Sequence, residues 1–121
     1  MKAVDIPNSV RRIIYERDKH CRICGAYQNL HIHHIIYRSQ WRNGHQPFNL
    51  ILLCERCHRK VHADKNKWQL ELLRRAMVKD VYQSRAPFKR PPHLVCPDNV
   101  SRLLDYYEKI DSSCQSWEIK I

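Results

Sequence analysis

A small α+β fold, a two-stranded hairpin followed by a helix with a C-terminal helical extension, is what the 121-residue chain predicts. Three observations carry that prediction. Two CxxC pairs, Cys21-x2-Cys24 and Cys54-x2-Cys57, are separated by 29 residues. Four thiolates in that pattern fill a tetrahedral zinc with no open position, so they read as a structural staple. Between the pairs lie two short apolar stretches rich in β-branched residues or leucine, joined through an Asn-Gly turn signal. Past Ala63 the apolar residues return at three- and four-residue intervals. A module of about 60 residues buries little core on its own, and a metal staple is a common remedy.

In chain order, Val10, Ile13, Ile14 and Arg17 follow helical spacing after Asn8 and Ser9, good capping residues, so residues 9–18 predict a helix. Cys21 to Gly25 then predicts a metal-wrapping knuckle whose glycine tolerates a positive φ. Leu30 to Ile36 predicts a strand, Tyr37 to Pro47 a loop, and about Asn49 to Leu53 a second strand. Glu55 to Ala63 contains no breaker and predicts a helix. Residues 65–83 predict another, with Trp68, Leu72, Leu73, Ala76, Met77 and Val81 on its apolar face. Pro87, Pro91, Pro92 and Pro97 mark an extended connector. Asp98 or Asn99 caps a last helix with Val100, Leu103, Leu104 and Tyr107 on one face, and Trp117, Ile119 and Ile121 alternate as in a terminal strand. The predicted divisions are 1–63, 64–84, 85–97 and 98–121.

Charge narrows the partners. Residues 1–90 hold 19 Lys and Arg against 7 Asp and Glu, whereas 91–121 hold 3 against 5. A surplus concentrated in that way attracts polyanions, and nucleic acid is the partner it favours. The sequence contains neither a run long enough to span a membrane nor a signal-peptide core, and a membrane is not an expected partner. A cytoplasmic location is therefore expected, where clustered cysteines stay reduced and bind metal.

A second constellation lies inside and just after the hairpin: His33, His34, Asn49, His58 and His62. His58 and His62 are four apart on the predicted helix, so their rings share a face and can converge on one cation. Cys57 is about 100° away round the same helix. One short helix can then serve two metal centres.

Leu30-x-Ile32-His33-His34-Ile35, then Asn49, then Cys54-x2-Cys57-His58-x3-His62 resembles the HNH, or ββα-metal, endonuclease family, in the treble-clef-like subgroup stapled by two CxxC knuckles. The intervals from His34 to Asn49, His58 and His62 are 15, 9 and 4 in succession. The resemblance implies a metal-dependent nuclease that hydrolyses DNA, with His34 as general base and Asn49 orienting it through either its side chain or its backbone carbonyl. It also implies His33, His58 and His62 as ligands of a catalytic divalent ion, and products carrying 5′-phosphate and 3′-hydroxyl. An all-imidazole set suits Zn²⁺, Ni²⁺ or Mn²⁺ better than Mg²⁺. Arg38, Arg42, Arg56, Arg59 and Lys60 flank the loop and the metal helix and are candidate phosphate contacts. His20, His31, His45 and His93 read as ordinary histidines, and Cys96 and Cys114 as plain thiols. Trp41 packs under the loop or stacks on a base, and the acidic C-terminal segment is a candidate homodimer interface.

Overall fold

A computed structural model of the protein describes residues 6–77, 88–91 and 93–113, without the side chains of the last two. Helix α1 spans Asn8–Asp18, strand β1 Leu30–His34, a 3-10 turn Pro47–Asn49, strand β2 Leu50–Cys54, helix α2 Glu55–Ala63, helix α3 Lys65–Ala76 and helix α4 Asp98–Ser113. The α+β class and the helix–knuckle–strand–loop–strand–helix order are as predicted. The predicted terminal strand, Val81, Pro87, Pro92 and Cys114 fall outside the described residues.

The two strands pair antiparallel in the register Leu30↔Cys54 through His34↔Leu50. All five residues of β2 are buried, because it lies between two apolar layers. Leu50 and Leu52 face Ile14 of α1 and Ile6 just before it. Ile51 and Leu53 face the other way, onto Val61 of α2, Leu72 and Leu73 of α3, and Val100, Leu104 and Tyr107 of α4. Period-two alternation assigns the two sets to opposite faces. The extension past Ala63 therefore shares a core with the hairpin. The apolar face of α4 packs on this core through Val100, Leu104 and Tyr107.

Three sequence expectations need correction. Asn8 and Ser9 lie inside α1 rather than before it; the Pro7 carbonyl accepts the N–H groups of Val10 and Arg11, each at 3.0 Å. Proline fits there because its fixed φ suits a helix start. Strand β1 ends at His34 instead of Ile36, because the Ile36 N–H turns to the Asn49 Oδ1 at 2.6 Å. Asn49 itself sits in the 3-10 turn and not in the strand.

A buried carboxylate that the sequence did not flag ties α1 to the sheet. Asp18, 1% exposed, accepts from Arg17 Nε at 2.6 Å, Arg22 Nη1 at 2.7 Å and the Leu52 N–H at 3.0 Å. Arg17 also donates to the Pro47 and Leu50 carbonyls. These bonds close the outer edge of β2, an edge that would otherwise expose unpaired backbone groups.

Candidate metal centre and active-site cleft

The four cysteines converge. Their Sγ atoms lie within 4.8 Å of one another, and Cys24 and Cys54 approach to 3.5 Å. A tetrahedron with Zn–S bonds of about 2.3 Å has S···S edges of about 3.8 Å, so the donor set fits zinc. The knuckle forms as expected: Gly25 has φ 82°, its N–H reaches the Cys21 carbonyl at 2.9 Å, and the Cys21 N–H reaches Ala26 at 2.8 Å. Cys54 stands at the start of α2, where helix N–H groups favour a thiolate. Burial works against ionising Cys21, yet backbone N–H groups of Cys24, Cys54 and Ile23 bring its thiol down to about 6. Burial and the neighbouring thiols push Cys57 up. Four such groups cannot all ionise side by side without a cation among them.

The histidine cluster forms one residue further round α2. Cys57 and Val61 turn inward, while His58 and His62 point to the face covered by β1. His33, 3% exposed, meets them edge-on, with ring centroids 5.1 Å from His58 and 5.4 Å from His62. One ring nitrogen from each of the three lies within 4.8 Å of the others, and the two Nε2 atoms of His58 and His62 are 3.1 Å apart. His33 Nε2 is buried with no hydrogen-bond partner among the described residues. An orphaned imidazole nitrogen on a ring packed against two others is costly as a core feature and apt for a shared cation. Burial first, then the charges of His58, His62 and His34, hold the His33 ring at about 3. Burial and the charges of His62 and His31 lower His58 too.

A cleft of about 310 Å³ wraps the end of β1, lined by Ile32, His33, His34, Tyr37, Arg38, Ser39, His58 and His62. The His34 ring is held at about 4, by burial and then by Arg38, His45 and Arg11.

Of the two routes by which Asn49 could orient His34, the side chain is engaged elsewhere. The Asn49 side chain donates to the Gly44 carbonyl at 2.9 Å and the Ile36 carbonyl at 3.3 Å, and accepts from the Ile36 N–H. It therefore pins the loop and does not touch the His34 ring; only its backbone carbonyl comes near, taking the Ile35 N–H at 2.8 Å. A Cβ on Gly44 would fall 2.8 Å from the Asn49 Nδ2 and from the Trp41 ring, so the turn needs glycine. His45, read from sequence as ordinary, instead approaches His34, Nδ1 to Nε2 at 3.2 Å. His31, also read as ordinary, stacks on His58 with centroids 5.9 Å apart. Trp41 is buried against Phe48 and serves packing.

Of the five predicted phosphate contacts, only Arg38 lines the cleft. Arg42 is exposed on the loop. Arg56 and Arg59 border a separate groove of about 530 Å³ with Cys24, Asn29 and Cys54, and the Lys60 ammonium lies 5.5 Å over Trp68. At 100° per residue, Arg59 neighbours the histidine face of α2, whereas Arg56 and Lys60 point roughly opposite it.

Fold and site together define a ββα module with a four-cysteine cluster that fits zinc and a separate three-histidine cluster. Residues 21–64 match the family model described as HNH endonuclease, so the chain carries an HNH endonuclease domain and, with it, the character of a metal-binding nuclease. Comparison with curated proteins and with solved structures gives no match.

Proposed function

We propose that the chain hydrolyses DNA phosphodiester bonds by a one-metal mechanism with His34 as general base. The supporting observation is a juxtaposition within the family match: His34 shares one cleft with His33, His58 and His62. Those three imidazoles would hold a divalent cation, which supplies Lewis acidity toward the phosphate oxygens and charge compensation for the leaving alkoxide. His34, neutral at pH 7, offers a ring lone pair to the proton of an attacking water. A ring held at about 4 is a weak base in the free chain. Burial is the larger cause, and an anionic phosphate beside Arg38 would offset the smaller part that comes from Arg38, His45 and Arg11. Asn49 keeps the 37–46 loop, and with it Arg38 and His45, in place around the base. Arg38, Arg42 and Arg59 contact flanking phosphates, with Arg56 and Lys60 reaching the backbone only if the duplex bends round α2. The products carry 5′-phosphate and 3′-hydroxyl ends.

Incubation of supercoiled plasmid with the protein and Mg²⁺, Mn²⁺, Ni²⁺ or Zn²⁺, followed by end mapping, tests the reading. Relaxed circles with religatable 5′-phosphate ends are expected, fastest with an ion that accepts imidazole. DNA binding without scission under any of the ions would leave a noncatalytic zinc module in place of a nuclease.

A further inference from the structure

Tyr37 belongs to neither metal-binding set, yet it touches two of the three histidines. Its hydroxyl lies 3.3 Å from His62 Nδ1. Its ring stands perpendicular to His33 at 5.7 Å and tilted against His62 at 5.2 Å. The Lys65 ammonium sits 5.5 Å from the centre of that ring and helps fix its plane.

The three histidines are not equally well held. His33 is buried and His58 half-buried, but His62 is exposed on the last turn of α2. Packing cannot fix the rotamer of an exposed imidazole. Its proton matters as well, since a neutral ring carries one N–H, and Nε2 can ligate only when that proton is on Nδ1. A hydroxyl oxygen beside Nδ1 accepts that N–H, keeps its own proton and leaves the Nε2 lone pair free. In the structure His62 Nε2 already faces His58 Nε2 at 3.1 Å.

We propose that Tyr37 is a positioning residue for the metal centre: its phenol oxygen takes the His62 Nδ1–H and so turns His62 Nε2 toward His58 and His33. The proposal rests on the reading that these histidines bind a divalent ion. Partners of this kind, one bond behind a ligand, are worth about 10- to 100-fold in metal affinity.

The test is calorimetric titration of Zn²⁺ into full-length chain that already carries one equivalent, wild type against Tyr37→Phe, with His62→Ala identifying the histidine-bound equivalent. Tyr37→Phe is expected to weaken the second equivalent by about 10- to 100-fold while the first, on the cysteines, is unchanged. Equal second-site affinity in wild type and variant would overturn the role of Tyr37 while leaving the metal reading intact. No second equivalent in wild type would overturn the metal reading, and the proposal with it. Long-range ¹H–¹⁵N spectra of the unsubstituted chain keep the test independent of the variant's folding. A His62 ring protonated on Nδ1 supports the proposal, and one protonated on Nε2 defeats it.

Discussion

His33 concentrates the cost of the site in one side chain. Its ring is buried beside two other imidazoles and is held at about 3, against an ordinary value of 6.5. Between those values the unfolded chain binds a proton that the folded chain refuses. Stability therefore rises with pH through that window and is lost as pH falls through it. From about pH 7.5 to about pH 5.5 this residue alone should cost about 1.4 kcal/mol of unfolding free energy. Urea unfolding of chain loaded only at the cysteines should show that loss, and His33→Asn should show a loss smaller by about that amount. Equal pH dependence in the two would mean that His33 is not the strained group. The two clusters are legible in the sequence, because the paired CxxC spacing and the four-residue interval between His58 and His62 on one helix dictate which side chains can converge. His45 and Tyr37 are not. They come from a loop, where no periodicity predicts which way a side chain turns, and they reach the site only through the path that Asn49 and Gly44 impose.

At the scale of elements, β2 is the member on which the rest depends, with β1 on one edge and Asp18, Arg17 and Arg22 on the other. Replacing Asp18 with Ala leaves two buried guanidinium groups and the Leu52 N–H without their shared acceptor. A cost of about 3–5 kcal/mol is expected, measured by chemical denaturation. A change under about 1 kcal/mol would show that water substitutes for the carboxylate. Gly44→Ala acts on the loop instead. Its Cβ would displace the Asn49 amide or the Trp41 ring, so nicking should fall while zinc stays bound, with a melting temperature lowered by a few degrees. Helix α2 was predicted to its ends because its two periodic pairs, Cys57 with Val61 and His58 with His62, leave little freedom. The ends of α1 and β1 were set otherwise, by a proline carbonyl and by an asparagine side chain acting from 13 residues away. Pro7 stands next to α1 and is a local signal, whereas capping from 13 residues away leaves no local mark in a sequence.

On the scale of the whole molecule, one short helix contributes to both clusters, Cys57 to one and His58 and His62 to the other. Arg74 and Arg75 of α3 are engaged with Asp111 and Glu71. Gln69 reaches from α3 to the Ile35 carbonyl and to the Tyr107 hydroxyl of α4. The extension therefore braces the end of β1, beside His34, and the acidic tail counted from the sequence acts partly as an internal counter-charge. No helix among the described residues is long and apolar enough to cross a membrane. Stripping the cysteine-bound ion with a strong chelator should lower the melting temperature sharply and cooperatively, because binding at a structural zinc site is coupled to folding. An unchanged melt would remove the staple from the account. The most direct test of the central claim compares plasmid nicking by wild type and His34→Ala in Mn²⁺ or Ni²⁺, with DNA affinity and both metal equivalents measured on the same preparations. A loss of about 10²- to 10⁴-fold in nicking rate is expected, with binding and metal content retained. Nicking by His34→Ala at the wild-type rate would contradict the claim.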